Sequence, residues 1–151
     1  ADPKRKVPAP GDIRLLVTRQ MSADGKKISP MVVLYRPKVK DFKGEPIILK
    51  SPTGTESFDE ISVINTVAVK YQKTATGFKA NVTIPLDVFG LSLQKGQPVR
   101  MDIGYIYGNE TGNTASARSY WTNNSFTANV LNDIPHESRL EPANWGEAKV
   151  E

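Results

Sequence analysis

Short runs of aliphatic and β-branched residues, interrupted every few positions by Gly, Pro or Asp, recur along the chain and predict strands almost throughout. Asp12 to Thr18 (D-I-R-L-L-V-T), Met31 to Arg36 (M-V-V-L-Y-R) and Pro46 to Lys50 each read as a half-buried or buried strand, and Ser62 to Gln72 reads as a longer one. From Phe78 the alternation is strict: Phe78, Ala80, Val82 and Ile84 fall on one face, and Lys79, Asn81 and Thr83 on the other. Pro85 stops that strand, and L-D-V-F-G-L from Leu86 predicts one helical turn closed by Gly90, the single helical element expected. Roughly eight strands at these spacings, without internal repeats, predict an all-β fold: an antiparallel two-sheet β-sandwich, jelly-roll-like, with one short helical turn.

The segment from Pro98 onward allows a register to be read. Val99, Met101, Ile103, Tyr105 and Tyr107 share one face, and Arg100, Asp102, Gly104 and Ile106 share the other. With Asn109-Glu110-Thr111-Gly112-Asn113 as a hairpin loop, Tyr107 lies opposite Ala115, Gly104 opposite Arg118 and Asp102 opposite Tyr120. Asp102 and Arg118 are then diagonal neighbours, and an ion pair between them is expected. Trp121 falls on the Met101 and Ile103 face, which this register assigns to the core.

Composition narrows the class. A chain of 151 residues with 24% charged and 38% hydrophobic residues suits one globular domain that buries a real core. Residues 1–10 form a Pro- and Lys-rich leader, and residues 11–151 the domain. No apolar run reaches the length of a membrane helix, so no membrane span is expected. Without cysteine there is no disulfide framework, thiol nucleophile or cysteine-ligated metal. The net charge of +4 is scattered over leader and loops, with no basic cluster interleaved with aromatics, so no nucleic-acid partner is expected.

Motifs of catalysis do not occur. His136, the only histidine, stands in D-I-P-H-E-S and reads as a surface group. There is no G-x-S-x-G elbow and no H-E-x-x-H zinc pair. Asp59 and Glu60 are adjacent on a strand and therefore point to opposite faces, which does not suit a glycosidase carboxylate pair. The chain is not expected to be an enzyme. Asn81, Asn109 and Asn123 each begin an N-x-S/T sequon, relevant only in a eukaryotic secretory pathway.

In their order and spacing, G-D-I-R-L-L-V-T, V-V-L-Y-R-P-K-V, F-K-A-N-V-T-I-P-L-D-V-F-G-L, V-R-M-D-I-G, R-S-Y-W-T-N-N and D-x-P-x-E-x-x-L-x-P-x-x-W-G resemble the family 9 carbohydrate-binding modules and their DOMON-like relatives, from Gly11 to Glu151. The resemblance implies a two-sheet sandwich, usually an appended module of a secreted or cell-surface protein, that binds sugars and often carries structural calcium. It also implies strands and a tryptophan-bearing segment ahead of a piece like Gly11 to Thr18. The chain therefore resembles the later part of such a module, or a variant whose early strands come from other domains or chains that complete the sandwich.

Each candidate ligand residue has a structural alternative. Trp121 suits stacking on a pyranose face or burial in the core, and Trp145 suits sealing one end of the sandwich. Arg118 offers a planar fork for sugar hydroxyls or a partner for Asp102. Tyr120 shares the Arg118 face as a second platform, while Asn123 and Asn124 suit hydroxyl recognition or a turn. Asp102, Asn109, Glu110 and Asp133 are oxygen donors for calcium, although no loop has an EF-hand pattern. Two functions follow as expectations: a non-catalytic module binding polysaccharide or oligosaccharide, and a structural or assembly domain that contacts other protein chains.

Overall fold

The structure is a computed structural model and describes residues 2, 4–111, 113–123 and 133–151. Its strands are β1 (Arg14–Met21), β2 (Ile28–Arg36), β3 (Ile47–Ser51), β4 (Gly54–Phe58), β5 (Glu60–Val63), β6 (Ala68–Lys73), β7 (Phe78–Thr83), β8 (Pro98–Met101), β9 (Gly104–Gly108), β10 (Ala115–Tyr120) and β11 (Gly146–Lys149). One helix, α1 (Ile134–Ser138), and 3-10 turns at Leu86–Phe89 and Pro142–Asn144 complete the described elements.

The fold is all-β and sandwich-like, with every described ladder antiparallel. Hydrogen bonding divides it into one three-stranded sheet, β1-β2-β5, and the pairs β3–β4, β6–β7, β9–β10 and β8–β11. The predicted run from Ser62 to Gln72 is two strands, β5 and β6; the Ile64 N–H still donates to the carbonyl of Val32 in the register of the β2–β5 ladder, and the chain leaves that ladder before Ala68. The predicted strand from Pro98 to Tyr107 is likewise two strands, interrupted at Asp102 and Ile103. The turn at Leu86–Phe89 ends as expected on Gly90, whose φ of 62° is a left-handed conformation that favours glycine.

Helix α1 lies outside the single helical turn expected near Leu86. Its start is nonetheless written in D-I-P-H-E: Asp133 accepts the His136 N–H at 2.9 Å as N-cap, and Pro135 fixes φ in the first turn. The helix packs on the β3–β4 hairpin, and just beyond it Arg139 pairs with Glu56 of β4 at 2.6 Å. Among the described residues the buried aliphatic and aromatic side chains are Val32 and Leu34 of β2, Phe58 at the end of β4, and Leu140 after α1, with Pro135 of α1 buried as well. Tyr35 meets Phe58 edge-on with ring centroids 5.5 Å apart. The leader is tied to this body, since Arg5 pairs with Asp12 at 2.5 Å and stands 5.8 Å over the ring of half-buried Trp145.

Asp133 couples the helix to this hairpin electrostatically. A hydrogen bond from Ser51, then the His136 amide and the Thr53 hydroxyl, hold its carboxyl below the ordinary value of 3.8 against the opposing effect of burial. A carboxyl more acidic when folded stabilises the protein fully above its unfolded pKa, and that contribution fades as pH falls below 3.8 through the folded value. Asp133→Asn is therefore expected to lower Tm at pH 7, with the gap to wild type closing as pH drops through this window. Thermal melts between pH 7 and pH 3 check it; a gap constant across that range would remove the charge-linked role.

Candidate functional site: an exposed aromatic row

The two hairpins β6–β7 and β9–β10 bring four rings together. Pairing of Tyr71 with Ala80 and of Lys73 with Phe78 puts Tyr71, Lys73 and Phe78 on one face of β6–β7. In β9–β10, Tyr105 faces Ser119 and Tyr107 faces Ala117 across the ladder. Tyr71 and Phe78 meet at 6.0 Å, Phe78 and Tyr105 at 5.7 Å, and Tyr105 and Tyr107 at 4.6 Å between centroids. All four rings are exposed, from 39% for Tyr71 to 48% for Phe78. Arg19 of β1 adds its guanidinium 5.9 Å over Tyr71.

The rings are not coplanar. Successive interplanar angles of 65°, 40° and 69° make the row corrugated, with edge-to-face contacts that favour the arrangement electrostatically. Each ring keeps solvent-facing π surface, and the three phenols add hydroxyls that donate and accept. The Tyr107 hydroxyl lies 3.4 Å from that of Ser119.

The register that presents Tyr105 and Tyr107 differs from the expected one by two residues. Gly104 faces Tyr120, Ile106 faces Arg118 and Tyr107 faces Ala117. One residue of the difference arises at the loop, where Ala115 faces Gly108 instead of Tyr107, and the other at a bulge between Ala115 and Ala117, where the Ser116 hydroxyl donates to the carbonyls of Tyr107 and Gly108. The loop before it closes on Asn109, whose side-chain oxygen accepts from Thr111 and from the Asn113 backbone. A displacement of two keeps every residue on its expected face, because the side-chain period is two.

What reverses is which face is covered. The Arg118 side chain is fully buried and lies 3.4 Å from Glu137 of α1, which corrects the expected pair with Asp102. Trp121, expected in the core with Met101 and Ile103, is 54% exposed, and Ile103 is 63% exposed. The Trp121 N–H donates to the Ile103 carbonyl one step past β10, so its side chain continues the face of Tyr105 and Tyr107. Its ring edge rests over Gly146, where an added β-carbon would stand 3.2 Å away.

Asp102 is engaged with the backbone. Its carboxylate accepts the N–H groups of Ile103, Thr122 and Asn123, fixing the turn that ends β10. Asn123 donates from its side chain to Glu141 at 2.7 Å, consistent with the turn alternative. Asn124 lies outside the described residues. Tyr120 is half-buried and its ring crosses Gly104, an aromatic covering the bare backbone of the opposite strand. Of the sequence candidates, Trp121 alone presents a broad apolar ring to solvent; Arg118 and Tyr120 belong to the covered face.

The oxygen donors considered for calcium have separate local roles. Asp102 holds the turn after β10, Asp133 caps α1, and Asn109 organises its own loop. Among the described residues no three His, Cys, Asp or Glu side chains group as metal ligands. His136 sits in α1, and the strands that carry the row hold no histidine and no carboxylate. Among the described residues no helix is long and apolar enough to cross a membrane.

Sequence reasoning grouped Tyr105 with Tyr107 and Phe78 with Val82 but did not join the two sets. The signal was the pair of alternating aromatics; the missing fact was the approach of β7 to β9. Comparison of the chain with protein-family models, curated proteins and solved structures gives no match, so any reading of the row stands on the row's own geometry.

Proposed function

We propose that the chain is a non-catalytic carbohydrate-binding module of a larger secreted or cell-surface protein, and that the row Tyr71-Phe78-Tyr105-Tyr107 is its contact surface. The observation that carries this reading is the continuity of four solvent-exposed rings across two hairpins. Aromatic faces take the C–H faces of pyranose rings, while tyrosine hydroxyls reach sugar hydroxyls. The corrugation favours a single glycan strand, which turns along its length, over a flat crystalline surface, which needs coplanar rings. The sugar-recognition roles considered for Arg118, Tyr120 and Asn123 pass to the row, with Trp121 extending the same face.

Calorimetry with cello- and xylo-oligosaccharides tests the reading. Phe78→Ala with Tyr105→Ala is expected to weaken binding by about tenfold or more, since the pair interaction and two contact rings are lost together. Tm is expected to change little, because both rings are already half in water. An unchanged affinity in that variant would reject the row as the contact surface.

A second reading has an observation of its own. Besides the row, the large apolar side chains of Val82, Leu86, Met101 and Ile103 are exposed, and broad apolar patches commonly mark protein interfaces. An assembly domain is favoured over a sugar module if millimolar oligosaccharide gives no heat and the protein self-associates in sedimentation.

A further inference from the structure

The charge around the row is one-sided. The strands β1, β6, β7, β9 and β10 contain no Asp or Glu, although the whole chain has 16 such residues. They do contain Arg19, which lies over Tyr71, and Lys73, which stands opposite Phe78 on the row's own face. Lys70 and Lys79 add positive charge from the other face of the same hairpin. Among the described residues neither Arg19 nor Lys73 makes an ion pair.

We propose that the aromatic row takes an acidic polysaccharide, whose sugars carry carboxylate or sulfate groups, in preference to a neutral one. The proposal rests on the carbohydrate-binding reading above and deepens it. Rings supply stacking on the apolar sugar face, and the cations at the Tyr71 and Phe78 end meet the substituents that project from its rim. Arg19 suits this role because its exposed guanidinium stands beside the row, 5.9 Å over Tyr71, and its fork of N–H donors matches a carboxylate or sulfate. With no carboxylate on these strands, an approaching polyanion meets no like charge from the surface it lies on. A protein interface would draw on the apolar surface alone and gives no reason for acids to be absent from five strands.

Calorimetry at low and high salt, with oligogalacturonide, a sulfated oligosaccharide and a xylo-oligosaccharide of equal length, decides the matter. Wild type is expected to bind at least one acidic probe about tenfold more tightly than the neutral one at low salt, from two exposed charge contacts. That preference is expected to collapse at high salt, while neutral binding stays constant. The carboxylated and sulfated arms identify which anionic group is taken. Arg19→Gln with Lys73→Gln should erase the preference and keep neutral binding. Lys40→Gln with Lys43→Gln, which removes the same charge from an exposed loop, should keep the preference.

Equal affinity of wild type for acidic and neutral probes overturns the proposal and leaves the sugar module standing. So does an equal loss of preference in the two double variants, which would reduce it to net charge. No binding of any probe, with self-association in sedimentation, overturns both readings in favour of a protein partner.

Discussion

Phe58→Ala is expected to cost about 3–5 kcal/mol of folding stability, the range for deleting a buried ring. Phe58 is 1% exposed, and the buried apolar set described with it is small: Val32, Leu34 and Leu140. Its ring is the edge-on partner of Tyr35, and it sits between the β1-β2-β5 sheet and the segment that follows α1. A shallow cavity of about 180 Å³, lined by Val7, Pro37, Phe58 and Leu140 among others, already borders the ring. Truncation would enlarge that void, and the surrounding strands collapse into such spaces only partly. Against a total of roughly 5–15 kcal/mol for an ordinary domain, the loss removes a large share. Urea unfolding followed by tryptophan fluorescence measures it. A loss below about 1 kcal/mol would place the organising core elsewhere.

The second large effect is expected at Asp102. Its carboxylate accepts three backbone N–H groups, one from Ile103 and two from the turn after β10. Charge-assisted hydrogen bonds of this kind are worth roughly twice neutral ones. Asp102→Ala is expected to destabilise the protein by about 3 kcal/mol, set by the donors left unpaired. Because this turn also places Trp121, fluorescence should report a more solvated indole in the folded variant. Asp102→Asn keeps one acceptor oxygen and should recover part of the stability. Equal melting of the alanine variant and wild type would show that water satisfies these amides unaided.

Most strands were legible because alternation and punctuation are local properties. Phe78 to Thr83, the turn at Leu86 and the pairing of a strand near Tyr107 with one near Tyr120 all follow from neighbours along the chain. Helix α1 is equally local, with its capping aspartate and early proline in the sequence, although the pattern of apolar runs predicts only the turn at Leu86 as helical. Half of the two-residue register difference comes from Ser116, whose hydroxyl stabilises a bulge that no alternation pattern announces, and half from the loop, which closes on Gly108 and Ala115.

The covered face was not legible, for a different reason. Alternation divides residues into two faces but does not say where other elements will pack. The side chain of Arg118 is buried with an ion-pair partner, Glu137, from a distant helix, and Tyr105 meets Phe78 of another hairpin yet stays 42% exposed. A charged residue beneath and aromatics above is the opposite of what residue type alone suggests. The row shares this origin, since Phe78 and Tyr105 meet only through the docking of two hairpins.

All six residues of β7 are exposed, and five of the six in β6. A two-stranded ribbon with so little buried surface is marginal by itself, and such elements open locally well before the rest of a domain. The scaffold beneath Tyr71 and Phe78 is therefore softer than the β2–β4 core, and an occupant of the row must stiffen it on arrival. That ordering cost is drawn from the contact energy, so affinity at this surface reports backbone rigidity as well as recognition.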